Sequence, residues 1–157
     1  MKSKASTILW VAIIVVILVT LFAWPKLNDP NKKLKAAWIA AGIDCLPNGH
    51  AQLGQHIHPR LVMKVDNKTI EIPANIGNVR GCMSEMHTHD ASGAIHIETI
   101  SAVKTFTLNQ FFNAWNKSLE QEGYGLKATV NGQVFPNPKD LILIDNQQIL
   151  LEYTKTK

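Results

Sequence analysis

The chain has 157 residues, a formal net charge of +4 and a charged fraction of 18%. Once roughly 30 N-terminal residues are set aside, the remaining length fits one domain and is too short for two ordinary ones. Most basic residues are scattered lysines, and the arginines are Arg60 and Arg80. Nucleic-acid-binding proteins concentrate basic residues and arginine anchors on one face, so no nucleic-acid partner is expected.

An apolar run without charged residues extends from Ile8 to Trp24. As an α-helix it would span roughly 25 Å, the short end of the membrane-spanning range. Trp10 and Trp24 lie at its two ends, where aromatic rings prefer the membrane interface, and Pro25 ends the helix. The absence of a small-residue cleavage motif favours an anchor over a cleaved signal peptide. Residues 1–25 are therefore predicted to be an uncleaved, single-pass membrane anchor.

The charges that flank this run do not decide its orientation. Lys2 and Lys4 precede it, and four lysines between positions 26 and 35 follow it. The signal-like layout and the two cysteines favour a cytoplasmic N-terminus. Residues 26–33 are predicted to be a polar linker, and residues 34–157 a single domain on the extracytoplasmic side.

The predicted elements of this domain are short strands and two helices, recognised by their hydrophobic periodicity. In chain order they are a helix at Leu34–Ala41, a hairpin of Ile57–Val65 and Thr69–Ile72, a strand at Ala94–Ile100, a helix at Leu108–Lys117, a hairpin of Leu126–Val130 and Gln133–Phe135, and strands at Leu141–Ile144 and Gln148–Tyr153. Thr107 is a suitable N-cap for the second helix, and Asn131-Gly132 is a strong hairpin turn. The fold class is α+β, with mainly antiparallel strands and one packed helix at residues 108–117.

All six histidines lie between positions 50 and 96. Three segments each carry two candidate metal ligands two residues apart: His56-Ile57-His58, His87-Thr88-His89 and His96-Ile97-Glu98. In an extended chain such residues point to the same face, and Pro59 favours that geometry for His58. Imidazole suits copper and zinc. The pattern predicts one transition-metal site with a pool of histidine ligands: His56, His58, His87, His89 and His96. An ordinary hydrogen-bonded polar face is the alternative.

Other side chains near these pairs extend the candidate site. Cys82 and Met86 would add soft sulfur ligands, which favour copper(I) or zinc over magnesium or calcium. Asp90 is a further possible ligand. Asp90 and Glu98 are also the candidates for catalytic proton transfer, or for fixing a histidine tautomer.

Cys45 and Cys82 are favoured to form a disulfide, because two cysteines in an exported domain usually pair. In the chain-entropy model, closing that loop would stabilise the domain by roughly 4 kcal/mol. The competing interpretation makes Cys82 a thiolate ligand of the metal.

Four segments resemble a group of small, membrane-anchored or secreted prokaryotic proteins. The group has an H-x-H-x-x-L strand, matched from His56; a P-A-N-I-G turn, matched from Pro73; an H-T-H-D-x-S-G-x-I-H-x-E block, matched from His87; and an F-T-L-x-Q-F-F-x-x-W helix, matched from Phe106. The match extends from about Cys45 to Tyr153, with Asn109 where glycine is common. The resemblance implies one compact domain and emphasises the same histidines with Cys82, Asp90 and Glu98. The group has no established activity, so no mechanism is implied.

Three functions are consistent with these features. The leading one is an extracytoplasmic, membrane-anchored copper or zinc protein for metal storage, delivery or sensing. The second is a zinc-dependent hydrolase or lyase with three histidine ligands and an open coordination position, in which Asp90 or Glu98 moves protons. The third is a metal-free module that binds another envelope protein through exposed strand edges. Whether the protein is an enzyme stays open at this point.

Overall fold

The computed structural model describes residues 4–23, 30–46, 49–50 and 52–156. The chain divides into two compact units, Met1–Lys33 and Leu34–Lys157.

The N-terminal unit contains helix α1 (Lys4–Leu18), which is 15 residues long, followed by a π-helical segment at Val19–Ala23. In the described part of the chain, no helix is both long enough and apolar enough to cross a membrane. The predicted transmembrane anchor at residues 1–25 is therefore wrong.

The apolar run predicts one regular helix to Trp24, whereas α-helical hydrogen bonding ends at Leu18. The single-pass topology, the membrane as a partner and the membrane-anchored extracytoplasmic location all depended on that anchor, and they are corrected with it. Trp24, Pro25 and residues 26–29 of the predicted linker lie outside the described residues.

The remaining elements are short. Among the described residues they are, in chain order, α2 (Lys32–Ala40), β1 (Gln55–Ile57), β2 (Arg60–Val65), β3 (Lys68–Ile70), β4 (Asn78–Val79), β5 (Cys82–Met83), β6 (Met86–His87), β7 (His96–Thr99), α3 (Leu108–Ala114), β8 (Tyr124–Val130), β9 (Gln133–Phe135), a 3-10 turn (Pro138–Asp140) and β10 (Gln148–Lys155).

The largest sheet has five strands in the order β3-β2-β10-β8-β9. β10 pairs in parallel with β2, and the other pairs of this sheet are antiparallel. Burial alternates along β10, so that one face of the strand is apolar and packs in the core. The core joins α3 to alternate residues of β2 and β10: Phe111, Phe112, Leu61, Met63, Ile149, Leu151 and Tyr153. The predicted α+β class, with mostly antiparallel strands and one packed helix, is confirmed.

Helix α3 begins at a capping box. The Thr107 hydroxyl accepts a hydrogen bond from the Gln110 backbone, and the Gln110 side chain accepts one from the Thr107 N–H. The helix ends at Ala114, earlier than the predicted Lys117, because Asn116 adopts a left-handed conformation with φ of 57°.

A second sheet of three strands has the order β1-β7-β6, and both of its pairs are antiparallel. The sequence predicted a single strand at Ile57–Val65, but the chain divides at His58 and Pro59, so that β1 joins this sheet and β2 joins the larger one. Pro59 has no N–H to donate to a ladder, which explains the break. Its carbonyl accepts a hydrogen bond from Ile95 N, just before β7.

The disulfide Cys45–Cys82 ties the segment before this sheet to β5, with a sequence separation of 37 residues. The favoured pairing of the two cysteines is therefore confirmed, and Cys82 has no thiolate to offer a metal. Next to the disulfide, Cys45 and Ser84 form an isolated antiparallel β-bridge, and Leu46 N donates a hydrogen bond to Met83 O.

Candidate metal centre

The three-stranded sheet brings the predicted ligand pairs together on one face. In its middle strand, β7, His96 and Glu98 are two residues apart and share that face. Glu98 lies opposite His56 of β1, and His96 lies opposite His87 of β6. Residues directly opposite in antiparallel strands have Cβ atoms roughly 4.5–5.5 Å apart on the same face. Strand register alone therefore places four candidate ligands side by side.

His58 and His89 extend this group just beyond the ends of β1 and β6. The ring centroid of His58 is 4.4 Å from that of His56 and 4.6 Å from that of His96. The His89 ring is 4.7 Å from the His87 ring and 4.4 Å from the His96 ring. All five histidines proposed from the sequence therefore belong to one contiguous cluster.

His50 is a member of the cluster that the ligand prediction did not include. It lies in a turn, and its Nδ1 is 2.5 Å from Glu98 Oε2. Its ring is 5.5 Å from the His89 ring. His50 has no second ligand two residues away, so the spacing that identified the others could not find it. The one available signal was that it completes the run of six histidines between positions 50 and 96.

Glu98 lies at the centre and its side chain is 0% exposed. Its Oε1 is 3.0 Å from His56 Nε2, 3.7 Å from His96 Nδ1 and 3.8 Å from His87 Nε2. Glu98 Oε1 and His96 Nδ1 are buried and lack a well-aligned hydrogen bond within the described residues, and the 3.0 Å approach of His56 Nε2 to Oε1 is an ion-pair contact without hydrogen-bond geometry. A buried polar atom left without a partner costs about 1–3 kcal/mol, so a bound ion that contacts these two atoms would stabilise the protein.

A second buried carboxylate nearby shows what Glu98 lacks. Glu85 accepts hydrogen bonds from Thr99 Oγ1 at 2.6 Å, Asp44 N at 2.9 Å and Lys104 Nζ at 2.5 Å. Lys104 balances the negative charge of Glu85, and each carboxylate oxygen accepts at least one hydrogen bond. The groups paired with Glu98 in the described chain are instead all imidazoles. A buried carboxylate without a fixed cation is a suitable ligand for a metal ion.

A hydrogen bond to the backbone orients the His87 ring. Its Nδ1 lies 2.9 Å from Ser84 O, so this nitrogen carries the proton and donates it to the carbonyl. Nε2 then has a free lone pair, and it faces His89 Nε2 at 3.2 Å. Holding the far nitrogen of a histidine in this way is a common feature of metal ligands.

Thr88, between His87 and His89, holds the end of β6 in place from the face of the sheet opposite the histidines. Its hydroxyl donates to Pro73 O and accepts from Ile76 N, which anchors the neighbouring turn. Gly77 in that turn has φ of +71°, and a Cβ there would be 2.1 Å from Met86 O. The turn packs this closely against β6 only because position 77 is glycine.

The environment keeps two of the imidazoles neutral. Burial lowers the pKa of His87, against the opposing effects of the Ser84 hydrogen bond and the Glu98 charge. Burial, followed by repulsion from His89, His58 and His87, lowers the pKa of His96 to about 4. Both rings are therefore in the neutral form that binds metals near pH 7.

The metal-free protein is expected to lose stability as pH falls from 6.5 towards 4, because of His96. The unfolded chain protonates this residue near 6.5, its ordinary pKa, and the folded protein only near 4. Between these values the unfolded state holds more protons. The free energy of unfolding is therefore unaffected by this group above pH 6.5, and below it decreases by at most about 1.4 kcal/mol per pH unit.

Urea denaturation in chelator at a series of pH values measures this dependence. His96→Gln should flatten it, since glutamine does not titrate. Equal slopes for the two proteins between pH 6.5 and 4 would contradict the assignment.

Two groups within the cluster have the geometry to hold a metal ion. The first consists of His50, His87, His89 and Glu98, and the second of His56, His58 and His96; the donor atoms of each group lie within 4.8 Å of one another. We call these group 1 and group 2. A histidine and glutamate site that could bind a metal is therefore present.

Three further candidate ligands from the sequence are not among the donors of group 1 or group 2. Cys82 is in the disulfide, and Met86 is fully buried in the hydrophobic core. Asp90 is exposed, and hydrogen bonds from the side chain and then from the backbone N of Ser92 lower the pKa of its carboxyl group. None of the three belongs to either group of donors, so the site as described contains nitrogen and oxygen ligands without sulfur.

No family model, curated protein or solved structure matches this chain. The resemblance to the group of small prokaryotic proteins therefore stays a prediction. The function has to be inferred from the geometry of the histidine cluster.

Proposed function

We propose that this protein binds a divalent transition metal, copper or zinc, at the histidine cluster, and that it stores, delivers or senses that metal. The observation that supports this proposal most directly is the environment of the Glu98 carboxylate. This carboxylate is fully buried, faces four imidazoles within 3.8 Å, and has an oxygen without a well-aligned hydrogen bond. A metal ion would supply the missing positive charge and use the free lone pairs of the imidazoles.

The donor set supports a divalent ion over copper(I). Imidazole and carboxylate suit zinc and copper(II), whereas copper(I) prefers thiolate and thioether ligands. The sulfur ligands proposed from the sequence, Cys82 and Met86, are in the disulfide and the core. Copper(II) is expected to bind more tightly than zinc at the same nitrogen and oxygen ligands, following the general order of affinities of these ions.

Metal binding is tested with tag-free protein whose disulfide is intact. After chelator treatment, we expect calorimetric titration with Zn²⁺ or Cu²⁺, and elemental analysis after gel filtration, to show at least one bound ion per chain. His87→Ala combined with His89→Ala should weaken binding by more than the roughly 10–100-fold typical of residues that only support a ligand.

Magnesium is the matched control ion, because it prefers oxygen ligands and should not compete. Circular dichroism of the double variant separates loss of ligands from loss of fold. Absence of stoichiometric metal after reconstitution with both zinc and copper would reject the proposal.

Group 2 favours a second candidate function, a zinc-dependent hydrolase or lyase. Three histidines with a fourth position for water form a donor set of catalytic zinc sites, where the bound water has a pKa near 7. The side chains of His56 and His58 are 44% and 42% exposed, so solvent reaches this group. Zinc-loaded protein would then hydrolyse an activated ester or hydrate carbon dioxide faster than His58→Ala does, and equal rates would reject this candidate.

A further inference from the structure

The histidine cluster contains more donors than one ion uses. Group 1 supplies four ligand atoms and group 2 supplies three, which is seven in all. Structural zinc sites are almost always four-coordinate. A single ion in group 1 would leave the three histidines of group 2 without a metal, although their donor atoms also lie within 4.8 Å of one another.

The two groups are in direct contact. The ring of His96, in group 2, is 4.4 Å from the ring of His89 and 5.5 Å from the ring of His87, both in group 1. Within group 2, the ring of His96 is 4.6 Å from the ring of His58 and 5.8 Å from that of His56. Rings of different groups are thus as close as rings of the same group, so two bound ions would be neighbours.

Glu98 joins the two groups through its two oxygens. Oε2 lies 2.5 Å from His50 Nδ1 of group 1. Oε1 lies 3.0 Å from His56 Nε2 and 3.7 Å from His96 Nδ1, both of group 2, and 3.8 Å from His87 Nε2 of group 1. A carboxylate whose oxygens approach ligands of both groups can bridge two metal ions, which in two-metal sites are about 3.5–4 Å apart.

We propose that the cluster is a dinuclear centre, with one divalent ion in group 1, one in group 2, and Glu98 as the bridging carboxylate. This inference depends on the proposed metal-binding function and specifies its stoichiometry and bridge. Imidazoles bind metals as neutral ligands, so in this site Glu98 supplies most of the negative charge that balances the two positive ions. Asp145 adds negative charge beside group 2, with Oδ1 at 3.8 Å from His58 Nδ1. Asp90 adds it near His89 and His96.

Copper(II) tests both the number of ions and the bridge. We expect two copper ions per chain by elemental analysis after gel filtration. Two copper(II) ions about 3.5–4 Å apart would interact magnetically, so the electron paramagnetic resonance spectrum should show spin–spin broadening or a loss of intensity relative to isolated copper(II). Zinc should also reach two ions per chain.

Two single variants identify the half-sites, and each changes a residue at the exposed rim, where truncation spares the core. His58→Ala removes a ligand from group 2, and His89→Ala removes one from group 1. Each variant should retain about one copper ion per chain, and its spin concentration should match its copper content. Circular dichroism and thiol titration confirm that the fold and the disulfide are intact.

The outcomes separate the two proposals. One ion per chain in the saturated wild type overturns the dinuclear centre and leaves the metal-binding function standing. Two copper ions per chain whose electron paramagnetic resonance spectrum is that of isolated copper(II), with full intensity, overturn the Glu98 bridge. No stoichiometric metal overturns both the centre and the function on which it depends.

Discussion

Replacing Glu98 with Gln is expected to weaken metal binding by about 100-fold or more, a loss larger than the usual effect of residues that merely support a ligand. Glutamine keeps the shape of the side chain and removes a fully buried negative charge that faces the imidazoles. Calorimetric titration with Zn²⁺ or Cu²⁺ measures the dissociation constant. Thermal unfolding gives a second readout, because an ion present at 100 times its dissociation constant stabilises a protein by about 2.7 kcal/mol.

Glu85→Gln is the matched control. Glu85 is also buried, but its carboxylate is satisfied by Lys104, Thr99 and Asp44 N rather than by imidazoles. This variant should lower the free energy of unfolding by roughly 1–3 kcal/mol, because it weakens hydrogen bonds to buried groups, while metal affinity stays near that of the wild type. If both variants lost affinity to the same extent, the effect would come from general destabilisation, and Glu98 would not be a ligand.

Replacing both cysteines with serine is expected to lower the free energy of unfolding by about 4 kcal/mol. The disulfide closes a loop with a sequence separation of 37 residues, and the chain-entropy model gives this value for a loop of that size. Metal affinity should also decrease, because the bridge anchors the segment that leads from Cys45 to His50. Urea denaturation followed by tryptophan fluorescence, to which the buried Trp38 contributes, measures the stability.

Reduction provides the control for this second prediction. A reducing agent should destabilise the wild type to a similar extent and leave the Cys45→Ser, Cys82→Ser variant unchanged. A double variant whose unfolding free energy lies within about 1 kcal/mol of the wild type would contradict the expected contribution of the loop.

The predictions made from the sequence succeeded where they depended on local geometry. Residues two apart in an extended chain share a face, so the pairs at His56, His87 and His96 could be recognised by spacing alone. The cap at Thr107 and the turn at Asn131-Gly132 are also local features, and the structure has a helix and a hairpin at these positions. The α+β class follows from such elements.

The predictions were wrong where the backbone hydrogen bonding of a segment differs from what its hydrophobic periodicity predicts. The apolar run predicts a regular helix to Trp24, but regular α-helix ends at Leu18. The predicted strand at Leu141–Ile144 is irregular apart from a bridge between Ile142 and Thr107. Apolar residues alone do not reveal where the backbone of a segment finds its partners.

The side chains that could coordinate a metal are recognisable in the amino-acid sequence, because their types and their spacing are properties of the local chain. The position of β7 between β1 and β6, the burial of Glu98 opposite His56 and the contact of His50 with the same carboxylate follow from the folded chain. Strand order and loop position depend on contacts between residues distant in the chain. Those contacts form through burial of a shared core, which no pattern within a short segment encodes.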